Sequence, residues 1–205
     1  MIKNQFNLYK NSWINSSKIG FSVDENFNAI PWYSFEAIEF LKLHLKSEHK
    51  VFEFGSGSST IFYNNNCSKV VAIESNKSWF EIICEKIQGK VNSCNNHFIA
   101  KNSEIFLLEN AIDNVDYENF ANNYSHKNNI KFDFIVIDSL KRHLCTLQSL
   151  DSLKSGGYLI LDDSERSNYQ KTIDFLENNN YEHIVFSGIA PAQLKIKNTS
   201  FFLKK

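Results

Sequence analysis

A carboxylate, two glycines and a run of hydroxyls stand together in Val51-Phe52-Glu53-Phe54-Gly55-Ser56-Gly57-Ser58-Ser59-Thr60. An apolar run that ends in Gly-Ser-Gly and continues into Ser-Ser-Thr reads as a strand turning into a helix. Gly55 permits a sharp bend and Gly57 a close approach of ligand to backbone, and the helix start offers N–H groups without helical partners. In a nicotinamide site such a bend would seat a pyrophosphate. Here Thr60 stands where G-x-G-x-x-G requires its third glycine, and Glu53 precedes the bend. A carboxylate at that point repels a diphosphate and suits a ligand that carries an ammonium group.

Three further strand ends carry acids. Glu74 closes Val70-Val71-Ala72-Ile73, 19 residues after Gly55, the offset at which an acidic residue accepts hydrogen bonds from ribose hydroxyls. Asp138 closes Ile135-Val136-Ile137, and Asp162-Asp163 close Gly157-Tyr158-Leu159-Ile160-Leu161. Ligands of open α/β sheets bind beyond the carboxyl ends of strands, although an Asp there also serves as a helix cap. His143 follows the strand that Asp138 closes and is a candidate base beside Asp138 and Asp162; a packing or solvated role is the plainer alternative. Trp32 and Tyr33 are read as a lid or as ordinary packing. Lys141, Arg142 and Arg166 are read as partners of an anionic acceptor or as solvated surface.

The elements that must position these residues alternate. Strands are expected at 51–54, 70–73, 97–100, 132–137, 158–161, 183–186 and 199–203. Helices are expected at 31–46, from 59, from 78 through a Ser78–Glu81 capping box, at 104–111, 117–124, 140–153 and 168–177. Apolar central strands separated by helices imply a parallel sheet covered on both faces. The last two strands lack a helix between them and should pair antiparallel. The expected fold is therefore α/β: a Rossmann-like, doubly wound, mostly parallel seven-stranded sheet with an antiparallel C-terminal strand. One domain spans 1–205, with 1–30 as an N-terminal extension.

Composition narrows the function. With 22 Lys+Arg against 23 Asp+Glu the chain lacks the basic footprint of a nucleic-acid binder. Met1 to Ser17 has no apolar core of a signal peptide, and no run approaches the ~20 apolar residues of a membrane span, so a cytoplasmic protein is expected. Cys67, Cys84, Cys94 and Cys145 form no C-x-x-C pair and read as free thiols.

Taken together these motifs resemble the class I S-adenosylmethionine (SAM)-dependent methyltransferases. Glu53-Phe54-Gly55-Ser56-Gly57 looks like their first motif, with Ser59 in place of a frequent further glycine. Leu153-Lys154-Ser155-Gly156-Gly157-Tyr158-Leu159 is similar to their entry into the fifth strand. Pro31-Trp32-Tyr33 and Leu161-Asp162-Asp163-Ser164-Glu165-Arg166 resemble a bacterial group of small methyltransferases. The resemblance spans roughly Pro31 to Lys205. It implies that Glu53 and the backbone of Gly55, Ser56 and Gly57 hold the methionine end of SAM, that Ser59 and Thr60 also belong to the cofactor site, and that Glu74 binds the ribose. Asn102, or its neighbours Lys101 and Ser103, would flank the adenine, with Asp138 beside the methyl group.

A partial likeness to metal-dependent catechol-type O-methyltransferases makes Asp138, Asp162 and Asp163 the ligands if Mg²⁺ binds. Asp163 in place of their Asn, and different spacing, count against a metal. The expected acceptor is a small molecule or saccharide, methylated at oxygen, with no nucleic acid or membrane as partner and a homodimer open. A nicotinamide oxidoreductase and a non-catalytic SAM-binding partner module are the competing readings.

Overall fold

The structure is a computed structural model of the 205-residue chain and describes residues 2–88 and 97–205. Cys94 lies outside the described residues; Cys67, Cys84 and Cys145 are buried free thiols.

In chain order the elements are α1 (Ile2–Ile19), α2 (Phe35–His44), β1 (Lys50–Phe54), α3 (Ser58–Asn66), β2 (Lys69–Glu74), α4 (Lys77–Gln88), β3 (His97–Ala100) and β4 (Ser103–Leu107). There follow α5 (Val115–Asn128), β5 (Phe132–Ile137), α6 (Arg142–Ser149), β6 (Leu153–Leu161), α7 (Gln170–Asn178), β7 (Tyr181–Ala190) and β8 (Gln193–Lys204). The strands form one sheet in the order β3-β4-β2-β1-β5-β6-β8-β7. β4, β2, β1, β5 and β6 are parallel. β3 runs antiparallel to β4, and β8 antiparallel to both β6 and β7.

Among the described residues the sheet has eight strands where seven were expected, because residues 104–111 do not form a helix. Ser103-Glu104-Ile105-Phe106-Leu107 alternates buried and half-buried positions, a period of two that fits a strand and not a helix. β4 takes the parallel place beside β2, and His97–Ala100 becomes its antiparallel edge partner across the two-residue turn Lys101-Asn102. The Ser78–Glu81 capping box is also replaced: Asn76 caps α4 by accepting the Trp79 N–H at 2.9 Å.

The N-terminal segment carries a helix, α1, over Ile2–Ile19. Its buried positions are the polar Gln5, Ser12 and Ser16. Gln5 donates to Glu36 at 2.8 Å and accepts from the Ile189 N–H at 3.2 Å, and Ser12 and Ser16 donate to the Val23 carbonyl. Phe6, Tyr9 and Trp13, spaced three and four residues apart, also pack against the core from this helix, an apolar stripe at helical spacing in the sequence.

Strand alternation divides the core. Phe52, Phe54, Ile135, Ile137, Leu159 and Leu161 face one layer, with Tyr117, Ala121, Cys145 and Ile173 of α5, α6 and α7. Val51, Val136 and Ile160 face the other, with Ile38 and Leu41 of α2 and Tyr63 of α3. Glu53 falls on this second face, a carboxylate where its neighbours are apolar.

Candidate functional site

From β1 the chain moves outward through β2 to β4, then returns to the other side of β1 as β5. The crevice at that reversal is where such sheets bind ligands. Backbone contacts bring the strand ends together: the Gly55 N–H donates to the Ile73 carbonyl at 2.9 Å, Asp138 N–H to Phe54 at 3.1 Å, and Asp162 N–H to Ile137 at 3.4 Å. A cleft of about 170 Å³ opens there. It is lined by Glu53, the bend Gly55–Gly57, Ser58 and Ser59 at the start of α3, Trp32, Trp79 and Asp138.

Glu53 is 1% exposed. Burial pushes its carboxyl up to about 8; hydrogen bonds from Ser59 and Thr60 oppose the rise, and the Asp138 and Glu74 charges add to it. Thr60 is fully buried, and its hydroxyl also accepts the Gly57 N–H at 2.9 Å, which ties the bend to Glu53. One oxygen, Oε2, has no hydrogen-bond partner among the described residues. Buried polar atoms are nearly always paired, so this oxygen marks a place for a donor that the described residues do not supply.

Glu74 lies at the crevice, but its oxygens are engaged. Oε2 accepts from the Ser56 N–H at 2.9 Å and the Ser56 hydroxyl at 3.0 Å, while Oε1 accepts from the N–H groups of Ser75 and Asn76, both at 2.8 Å. Four bonds use the acceptor capacity of a carboxylate, so Glu74 braces the glycine bend. Trp79 braces it from α4, its indole N–H donating to the Ser56 carbonyl at 2.6 Å.

Asp138 presents a side chain 40% exposed and accepts from Arg142 at 2.8 Å. Asp162 is buried. Its Oδ1 accepts from Thr199 at 2.8 Å and its Oδ2 from Lys197 at 2.5 Å. Burial raises the Asp162 carboxyl, and the Lys197 ammonium opposes that rise. Asp163 pairs with Lys197 at 2.8 Å and with Arg166.

Several expectations need correction. Asn102 stands before β4, at the amino edge of the sheet, where its side chain donates to the carbonyls of Asn64 and Cys67. It cannot flank a ligand at the carboxyl edge, and Lys101 and Ser103 sit at the same wrong end. The displacement follows from the misread helix: with β4 as the parallel strand, the segment at the crevice is the one after Leu107. His143 pairs with Thr172 of α7 at 3.0 Å and does not line the cleft. Lys141 is held by Glu118 at 2.8 Å. Tyr33 is 1% exposed, its hydroxyl 3.5 Å from that of Tyr63, so it belongs to the core. Trp32 does line the cleft, pinned by its indole N–H to the Pro191 carbonyl at 2.6 Å.

Sequence reasoning missed Trp79, Lys197 and Thr199. A signal for the last two existed: period-two alternation puts Lys197 and Thr199 on the face of β8 that carries Phe201, an inward face on which a lysine demands a buried acid.

No protein-family model matches the sequence, and no curated protein matches it. Solved structures do. An O-methyltransferase from Bacillus cereus in complex with S-adenosylhomocysteine (SAH) aligns over 100% of both chains at 16% identity, with a TM-score of 0.68. The O-methyltransferase of tomaymycin synthesis from Streptomyces achromogenes, in complex with SAM, covers 82% of this chain and 77% of its own at 12% identity and a TM-score of 0.62. An rRNA methylase from Streptococcus thermophilus covers 82% of this chain and 92% of its own at 19% identity and a TM-score of 0.53. The chain thus shares the Rossmann-like α/β fold of these SAM-dependent methyltransferases.

Proposed function

We propose that the chain is a SAM-dependent methyltransferase that acts on a small-molecule or saccharide acceptor, at oxygen. The observation that carries this reading is the unpartnered oxygen of Glu53 beside the glycine bend. An ammonium group satisfies it, and a diphosphate would be repelled. The N–H groups of Ser58 and Ser59, in the first turn of α3, suit the accompanying carboxylate. At about 170 Å³ the cleft is smaller than the ~300–1,000 Å³ of a whole ligand site. It therefore fits the amino-acid tail, with the nucleoside lying along the carboxyl edge past Glu74. SAM supplies an electrophilic methyl carbon; the chain aligns it and removes the acceptor's proton. Asp138, the exposed carboxylate in the cleft, is the base in this reading.

A labelled-methyl transfer assay against extracted metabolites and glycans tests it. Asp138→Asn keeps the shape and an acceptor for Arg142. It is expected to lower transfer by about 100-fold or more while SAH affinity stays within about threefold. Full transfer by that variant removes Asp138 as base. Calorimetry showing NAD bound and SAM ignored would overturn the cofactor assignment.

Glu74 makes a separate prediction. For ribose hydroxyls to reach Oε2 the Ser56 hydroxyl must rotate away, so Ser56→Ala should leave SAH affinity equal or better. Glu74→Ala also releases the bend and should weaken SAH by at least about tenfold, the worth of one charge-assisted hydrogen bond. Equal affinity in Glu74→Ala and wild type would take Glu74 out of the ligand site.

A further inference from the structure

Carboxylate oxygens of Asp138, Asp162 and Asp163 lie within 4.8 Å of one another. Three acids this close repel strongly unless a cation sits among them. The fold supplies one. Lys197, 7% exposed in its side chain, enters from β8 and places its ammonium 2.5 Å from Asp162 Oδ2, 2.8 Å from Asp163 Oδ1 and 3.0 Å from the Trp32 carbonyl. An ammonium has three donors, and each is used. Arg142, 8% exposed, closes the other side: it donates to Asp138 Oδ1 at 2.8 Å, to the Asp162 carbonyl, and lies 3.6 Å from Asp163 Oδ2. Thr199 takes the remaining Asp162 oxygen.

Mg²⁺ needs near-octahedral oxygen ligands at ~2.0–2.1 Å, and Ca²⁺ needs six to eight at ~2.3–2.6 Å. Binding through Asp162 Oδ2 and Asp163 Oδ1 would put the dication on top of the ammonium that already bridges them. The residues present do not fit a divalent ion. We infer that Lys197 is the resident cation of this cluster, standing where a metal would otherwise sit and locking the end of β6 and the middle of β8 to the Trp32 segment that lines the cleft. Burial alone would lower the Lys197 ammonium, but Asp162 and Asp163 outweigh it and hold the group charged. Lys197 is thus a positioning residue, and the site is built to work without a metal. This inference does not depend on which ligand the cleft takes.

The test is cation dependence of stability in the full-length chain. Wild type is expected to show no Mn²⁺ or Mg²⁺ binding by calorimetry up to about 1 mM, and the same melting temperature in EDTA as in Mn²⁺. Lys197→Ala leaves three acids facing an ammonium-sized gap. It should melt lower in EDTA and recover by at least about 5 °C in millimolar Mn²⁺, with methylammonium giving partial recovery. A purely structural lysine would give the loss without the cation-specific recovery. If Lys197→Ala does not fold, Lys197→Gln, which retains a donor but no charge, carries the same expectation. Stoichiometric Mn²⁺ binding by wild type that Asp162→Asn abolishes would overturn the inference, as would a variant at 197 whose melting ignores added cations.

Discussion

Replacing Glu53 by Gln is expected to weaken SAM and SAH by about 100-fold or more while raising the melting temperature of the ligand-free protein at pH 8. The first effect follows from removing the anionic partner of a desolvated ammonium, a loss of roughly 3–5 kcal/mol when a buried pair is broken from one side. The second follows from the environment of Glu53 in the empty cleft. Its carboxyl is pushed up to about 8 from an ordinary 4.5, first by burial and then by Asp138 and Glu74. Between those two values the folded chain holds a proton that the unfolded chain has released. Stability contributed by that group is complete below pH 4.5 and is lost as pH rises through 8. An uncharged amide of the same shape removes the penalty, a gain on the order of 1–3 kcal/mol at pH 8.

Wild-type binding should be proton-linked in the same window. Because the ligand's ammonium requires the carboxylate, affinity should rise with pH up to about 8, with close to one proton released on binding at pH 7. Calorimetry in two buffers of different ionisation enthalpy measures that release directly. A Glu53→Gln chain that binds SAH like wild type, or that melts lower at pH 8, would remove the electrostatic basis of the cofactor assignment.

Most of the architecture was legible because the central strands are short, predominantly apolar runs, interrupted only by Glu53 in β1 and Asp133 in β5. Phe132–Ile137 and Val51–Phe54 could be covered on both faces only by helices, and the acids closing them had to lie along one edge. Glu53, the glycine bend, Ser59 and Asp138 were found this way, and the structure gathers them around one cleft. What stayed hidden has two physical causes. Residues 97–107 carry two short strands joined by a two-residue turn, and the apolar run Ile105-Phe106-Leu107-Leu108 is compatible with either period over so few residues. That ambiguity misplaced Asn102. The other cause is range: Lys197 meets Asp162 across 35 residues, and Gln5 meets Ile189 across 184. Such polar contacts depend on how β8 and α1 return to the sheet, which local pattern does not encode. His143 shows the reverse error, since nearness in sequence to Asp138 placed it on the next helix but turned toward α7.

The two glycines of the bend should separate fold from function. At Gly55 φ is +99°, and a Cβ there would lie 2.5 Å from the Asp138 carbonyl oxygen and 3.3 Å from its carbon. Both atoms are backbone of the adjoining strand end, so no rotamer change relieves the overlap. The strained backbone costs roughly 1–3 kcal/mol and the forced separation a comparable amount. Gly55→Ala should therefore lower the melting temperature by about 6–15 °C in a chain of this length. Any relief must push the bend away from β5, parting Glu53 from Asp138. Gly57 has extended backbone, and a Cβ there would meet only the Ser59 hydroxyl at 3.8 Å. Gly57→Ala should melt within about 2 °C of wild type, yet it adds a methyl group to the lining of the cleft and should weaken SAH by at least about tenfold. Equal melting of the two variants would remove the steric requirement at Gly55, and normal SAH affinity in Gly57→Ala would mean that the ligand does not approach the backbone at this bend.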